Sequence, residues 1–244
     1  MYSCVWVIGA NSDLAKEIVK MLCNNNMAHK FYLGSRNIES MNTFIASIGK
    51  RELFSIERLD LLHFDSIITF INRCAKPDLV ILAAGYLYRE SPISADELTK
   101  VVYANFVGKV FFLECAQSKL RESGKCKVIC IKSTAGEMGD GHNRFYAASK
   151  AAMKVYMQSF SFANHRYGIQ TYIVRPGDMI TKMKPIGGHW AISPNAAAET
   201  IIKQAERTAK PNGTIIYVPW FMKYVLLVAK IKRTIYDFRH YCPK

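Results

Sequence analysis

Seven short apolar runs, each separated from the next by a stretch of helical period or a turn, set the tightest limit on what this chain can fold into. They read CVWVIG (4–9), KFYLGS (30–35), LFSIERL (53–59), DLVILAAG (78–85), KVICIKS (127–133), QTYIVRP (170–176) and TIIYVP (214–219). They are rich in Val, Ile and Leu without strict polar–apolar alternation, as strands are in a sheet buried on both faces. Helical patterns lie between them near 12–25, 37–49, 64–75, 94–122, 144–167 and 194–209. Alternating strands and helices require right-handed parallel crossovers. The expectation is an α/β fold: a Rossmann-like, doubly wound parallel sheet of about seven strands, a single domain over 1–219. Ligands of such sheets bind beyond the carboxyl ends of the strands.

The chain has 244 residues, half of them hydrophobic, enough to bury one large core. Its seven cysteines (Cys4, Cys23, Cys74, Cys115, Cys126, Cys130 and Cys242) form no C-x-x-C pair, and most sit in apolar runs. That pattern fits a reducing compartment with neither a disulfide framework nor a metal site. Cys126 and Cys130 read as strand residues, because no second ligand pair is near. The start, MYSCVWVIGA, enters a strand at once without the pattern of a signal peptide, so a cytoplasmic protein is expected. The net charge of +14 favours anionic partners. Basic residues are not interleaved with aromatics outside the tail, so nucleic acid is not an expected partner.

The first strand runs into VIGANSDLAKEI, a glycine turn opening a helix, where backbone N–H groups can face a phosphate. Gly9 begins the turn, Ser12 stands where a cap belongs, and Ala15 is small enough for close packing. The residues alone also allow an ordinary capped helix. The second strand ends in Ser35 and Arg36 instead of an acidic residue. A guanidinium pairs with a 2′-phosphate bidentately, which favours NADP(H) over NAD(H); a plain surface arginine is the alternative. In RFYAASKAA, Tyr146 and Lys150 are four apart and share one helix face. An ammonium near a phenol favours the phenolate and lowers its pKa from about 10.

Together these features resemble the short-chain dehydrogenase/reductase family over roughly residues 4–219. The family turn reads T-G-x-x-x-G-x-G; here only Gly9 remains, with Asp13 and Ala15 at the second and third glycine positions. Asp13 is expected to serve the helix N-terminus. The resemblance implies that Gly9, Asn11, Ser12, Asp13, Leu14, Ser35 and Arg36 bind cofactor, with Asp60 and Leu61 near the adenine. Ala83, Ala84 and Gly85 resemble the family's N-N-A-G, and Pro176, Gly177 and Thr181 match its P-G-x-x-x-T beside the nicotinamide. It further implies a catalytic set of Asn105, Ser133, Tyr146 and Lys150. Tyr146 would exchange the proton, Ser133 orient the carbonyl, Lys150 hold the ribose and tune the phenol, and Asn105 serve a water relay. The family commonly forms homodimers or homotetramers, and the same is expected here.

The segment 178–193 stands where the family has its substrate lid, and carries Lys182, Lys184 and His189. Basic residues there suit an anionic substrate; a solvated loop reads the same way. In the tail, 220–244, Trp220, Tyr224, Leu227, Val228, Ile231, Ile235 and Phe238 recur at steps of three and four. Lys223 and Lys230 interrupt the stripe, so a spanning helix is not expected. A basic, aromatic amphipathic helix suits an anionic membrane surface or a partner subunit; docking on the protein's own core fits equally. Turn, V-R-P-G segment and tail are similar to the branch of polyprenyl-phosphate 2-keto-pentose reductases. The expected activity is therefore NADP(H)-dependent reduction of a keto group, or oxidation of the matching alcohol, on a lipid-phosphate-linked sugar. The alternatives are a fatty or sphingoid-type ketone, and a non-catalytic NADPH-sensing scaffold.

Overall fold

The computed structural model describes residues 1–90, 92–139, 141, 143–183, 185, 187–188, 190–207 and 213–241, side chains of 235–241 excepted. Its strands are β1 (Val5–Ile8), β2 (Phe31–Ser35), β3 (Phe54–Arg58), β4 (Leu79–Leu82), β5 (Cys126–Ile131), β6 (Ile169–Pro176) and β7 (Thr214–Val218). They form one parallel sheet in the order β3-β2-β1-β4-β5-β6-β7. Val5 is in register with Phe31 on one side and Leu79 on the other, so the strand order reverses at β1. That switch point opens a crevice beyond the strand ends.

The apolar runs lack alternation because both sheet faces are covered. Every residue of β1 is buried. Val5 and Val7 join the layer that holds Leu14, Ile18 and Ile201, whereas Trp6 and Ile8 join the layer of Phe70, Phe112 and Met157. The covering helices are α1 (Asp13–Asn24), α2 (Ile38–Ile48), α3 (Phe64–Arg73), α4 (Ala95–Val102), α5 (Gly108–Glu122), α6 (Arg144–Asn164), α7 (Pro194–Glu206) and α8 (Met222–Tyr241).

The single helix expected over 94–122 is interrupted. A π turn over Tyr103–Val107 separates α4 from α5, with the Gly108 N–H bonded to the Tyr103 carbonyl. Such turns insert a residue into the helical ladder and commonly sit at functional positions. Here the inserted turn carries Asn105. Immediately after it the backbone of α5 is pressed against the segment following β3: a Cβ on Gly108 would stand 2.2 Å from the Leu61 carbonyl oxygen.

The tail forms α8, which contacts β7. Leu226 is buried, but Trp220, Tyr224, Leu227, Val228 and Ile231 are at least half exposed. The apolar stripe therefore faces solvent and not the protein's own core. Ile235 and Phe238 lie in α8, but their side chains are outside the described residues. No described helix is long and apolar enough to cross a membrane.

Candidate active site

A crevice of about 800 Å³ opens at the carboxyl ends of the strands. Its floor is the first turn. Gly9 has φ +82°, and a Cβ there would stand 2.4 Å from the Ala84 Cα, so only glycine allows the turn after β1 to lie against the turn after β4. Ser12 takes the N-cap position of α1, but its side chain makes no capping bond, contrary to expectation. Asp13 does more than serve the helix N-terminus: its Oδ2 accepts a 2.7 Å hydrogen bond from the Lys182 N–H on the segment over the crevice.

All the cofactor positions implied by the resemblance line this one crevice: Gly9 to Leu14 apart from Ala10, Ser35 and Arg36, Asp60 and Leu61, Ala83 to Gly85, and Pro176, Gly177 and Thr181. Asp60 Oδ1 accepts from the Leu62 N–H at 3.1 Å, which fixes the carboxylate at the wall. These residues fit a dinucleotide: a glycine cradle that a Cβ would fill, and an arginine beyond β2 in the same cavity.

Ser133 follows β5 and caps a short 3₁₀ turn, Thr134–Glu137. Its hydroxyl stands close enough to that of Tyr146 to favour the phenolate. Tyr146 sits in the first turn of α6, and Lys150 one turn later is 4% exposed. The Lys150 Nζ is 5.3 Å from the centroid of the Tyr146 ring. A Cβ on Gly85 would stand 3.2 Å from Asn105 Oδ1 and 3.4 Å from Lys150 Nζ, so the three meet at one point. Asn105 is fully buried. Its amide donates to the Tyr86 carbonyl at 2.7 Å and the Val101 carbonyl at 2.9 Å, and its Oδ1 accepts the Tyr86 N–H at 3.3 Å.

The electrostatics differ from expectation. Burial pushes the Tyr146 phenol above its ordinary pKa, opposed by the Ser133 hydroxyl and the charge of Arg89, not by Lys150. Lys150 lies over the ring and is itself desolvated: burial lowers it to about 8, with Cys130 opposing and Lys132 assisting. In this state the phenol is held protonated, as a proton donor must be.

Sequence reasoning missed several lining residues, among them Arg89, Asn143 and Met222. Arg89 and Asn143, with Tyr146, also line a second cavity of about 230 Å³. Met222 comes from α8 and lies against Gly177, a long-range approach with no local signal. Also unforeseen is a knot of charge beneath Ser133. Glu137 Oε1 meets Lys132 Nζ at 2.5 Å and Arg175 Nε at 3.1 Å; Oε2 meets Lys154 at 3.2 Å and Lys230 of α8 at 3.4 Å. Burial would raise the Glu137 carboxyl, but Lys132, Arg175 and Lys154 outweigh it and hold it at about 2.

Over the crevice, 178–193 is pinned by a bridge between Met179 and Ile192 and by Asp178 Oδ2, which accepts from Gly188 N–H at 2.6 Å. Ile180, Met183 and Trp190 are exposed there. Lys184 and His189 lie outside the described residues.

A parallel sheet reversing at β1, with a serine and a tyrosine lining one crevice and a buried lysine beside them, defines a dinucleotide-type α/β protein. The chain belongs to the short chain dehydrogenase family, whose model matches residues 3–189. It is 26% identical over 180 residues to a 3-ketodihydrosphingosine reductase of Bacteroides thetaiotaomicron, covering 72% of this chain and 64% of that one. It is 25% identical over 199 residues to human retinol dehydrogenase 11, covering 73% and 62%. A short chain dehydrogenase from Burkholderia cenocepacia, solved in complex with NADP, superposes with a TM-score of 0.83 at 17% identity, covering 99% of this chain and 98% of that one.

Proposed function

We propose that the protein is an NADP(H)-dependent oxidoreductase that reduces a keto group on an amphipathic, lipid-borne substrate at the cytoplasmic face of a membrane. Tyr146 gives its proton to the carbonyl oxygen, and Ser133, lining the same crevice, orients that oxygen. A nicotinamide bound beside Pro176, Gly177 and Thr181 supplies hydride. Lys150 holds the ribose and keeps one positive charge at the site. The side chain of Asn105 is committed to Tyr86 and Val101, so the relay role implied by the family falls to its main chain in the π turn. Arg36 and Ser35 take the 2′-phosphate, which makes NADP(H) the preferred cofactor over NAD(H).

The observation that carries the substrate reading is the continuity of one exposed apolar surface with the crevice mouth. Met222 lines the crevice, and next to it Trp190 packs on Phe221 with ring centroids 6.2 Å apart. From there Trp220, just before α8, and Tyr224, Leu227, Val228 and Ile231 along it continue in solvent. Arg89 and Lys182 in the crevice lining favour an anionic head group, as a lipid-phosphate-linked sugar has. The second reading, a fatty or sphingoid-type ketone, is favoured by the likeness to a 3-ketodihydrosphingosine reductase. A homodimer or homotetramer is part of the proposal, because Val155 and Phe162 of α6 are 61% and 88% exposed.

The test is NADPH oxidation with vesicles bearing either a polyprenyl-phosphate keto-sugar or a sphingoid 3-ketone, against a short water-soluble ketone. Turnover of a vesicle-borne ketone that falls about 10²–10⁴-fold in Tyr146→Phe, with NADPH binding retained, is expected. Faster turnover of the soluble ketone than of either lipid would overturn the substrate reading.

A further inference from the structure

The cavity of about 230 Å³ shares Arg89, Asn143 and Tyr146 with the crevice, so the phenol is part of the wall of both. Its other walls include Tyr88 and Glu90, from the segment after β4, and Arg144, the first residue of α6. Proton and hydride transfer leave it without a task. It is smaller than the roughly 300–1,000 Å³ of sites that take a whole drug-sized ligand, so it suits one group of a larger molecule.

Two guanidiniums from different elements line this cavity, and among the described residues neither Arg89 nor Arg144 has a hydrogen-bond or ion-pair partner. The first turn of α6 carries no acidic residue to balance Arg144. A cation there works against the helix dipole, and the fold alone gives it no reason to stand near a second one. Glu90 is the one carboxylate among the described lining residues, and it accepts from the Tyr88 hydroxyl at 3.3 Å. The wall therefore holds two positive charges against one negative. The segment that carries Arg89 is anchored at its start. Asn105 binds the Tyr86 main chain through both N–H and carbonyl, and the Tyr86 hydroxyl donates to Glu97 at 2.6 Å. Charges held in place before a ligand arrives lower the cost of binding it.

We propose that this cavity is the subsite for a phosphate group of the substrate, gripped by Arg89 and Arg144 while the keto group of the same molecule meets Tyr146. A guanidinium offers paired donors to two phosphate oxygens, and two guanidiniums on different elements take a tetrahedral group from two sides. Arg89 stands near enough for its charge to act on the Tyr146 phenol, so phosphate and ketone need be only a few bonds apart. The inference rests on the reductase reading and narrows it to a phosphate-linked keto compound. A sphingoid ketone carries an ammonium, which the same two charges repel.

The test is calorimetric titration with dihydroxyacetone phosphate, dihydroxyacetone and inorganic phosphate, with and without saturating NADP⁺. The oxidised cofactor permits no reduction and fills the phosphate positions of the crevice. Dihydroxyacetone phosphate is expected to bind at least about tenfold more tightly than the other two, because only it offers both groups. Arg89→Gln and Arg144→Gln should each weaken it roughly tenfold to a hundredfold, with part of the loss recovered in Arg144→Lys. Both arginines are exposed, so the fold does not depend on them. Glu90→Gln should tighten binding about twofold to fivefold, since a like charge is removed. Equal binding of the ester and the neutral ketone overturns the subsite, as does an affinity indifferent to both arginines. Inorganic phosphate binding as tightly as the ester overturns it too, since the cavity is then an anion site without a substrate. Binding that NADP⁺ abolishes belongs to the cofactor's phosphate positions and likewise overturns it. Arginine-dependent binding in a protein that turns over no ketone with NADPH sinks the reductase reading and leaves the phosphate site standing.

Discussion

Asp13 Oδ2 accepts a 2.7 Å hydrogen bond from the backbone N–H of Lys182, which joins the glycine turn under the crevice to the segment over it. A carboxylate where the family has a second glycine thus becomes a latch between the floor of the site and its cover. A charge-assisted bond of this kind, near the surface, contributes about 1 kcal/mol. Asp13→Ala should expose 178–193 about fivefold more often. Limited proteolysis checks it: faster cutting within that segment and unchanged cutting elsewhere. An unchanged rate throughout would mean that the Met179–Ile192 bridge and Asp178 hold the segment by themselves.

Arg36 lines the crevice just beyond β2, one residue after the buried Ser35. If its guanidinium takes the 2′-phosphate, Arg36→Ala removes a charge-assisted pair of about 1.5–3 kcal/mol. That corresponds to roughly tenfold to a hundredfold weaker NADPH binding, with NADH binding nearly unaffected. Fluorescence titration of both dinucleotides checks it, and equal losses for the two would move Arg36 away from the phosphate.

The strands were legible in the sequence because a buried parallel sheet leaves unmistakable runs, as in the wholly buried β1. The candidate site was legible because Ser133, just after β5, and Tyr146 and Lys150, on α6, lie close along the chain. The π turn was not, since its five residues, YANFV, carry no breaker and read as helix. Lys109, fully buried in α5, was passed over inside GKVFF, where one lysine in an apolar helix reads as a stem with a solvated tip. The Tyr146 phenol was expected to be lowered, because spacing gives proximity to Lys150 but not burial, and burial is the larger effect. Arg89, Met222 and the contacts of Glu137 with Arg175 and Lys230 join elements far apart in sequence, and pairwise spacing carries no trace of them.

Glu137 gives the fold a defined acid sensitivity. Its carboxylate is completely buried among Lys132, Lys154, Arg175 and Lys230. Its pKa is depressed from 4.5 to about 2, so the stability it contributes is present above about 4.5 and is lost as pH falls to about 2. The shift corresponds to about 3 kcal/mol. Glu137→Gln should lower stability at neutral pH by at least that much, since it also strands Lys132 without a counter-charge. Urea unfolding at several pH values checks it: the gap between the two proteins should close as pH approaches about 2. A constant gap would mean that the packing of the amide, not the charge, is what changed.

The same carboxylate binds α8 to the turn that Ser133 caps, because Lys230 reaches it at 3.4 Å while the apolar stripe stays in solvent. The proposed membrane reading makes this helix the one that lies in the surface, with Lys223, Lys232 and Arg233 as further basic residues along it. Burying an aliphatic side chain even partly in an interface contributes about 1 kcal/mol, and each basic residue about the same on an anionic leaflet. Leu227→Glu with Val228→Glu should therefore cut sedimentation with anionic vesicles by at least about tenfold. The unaltered protein should lose its vesicle binding as salt rises, because the basic contribution is screened. If the double substitution instead changes the oligomeric state and leaves vesicle binding alone, the stripe belongs to a second copy of this chain, and the crevice mouth opens onto a subunit in place of a bilayer.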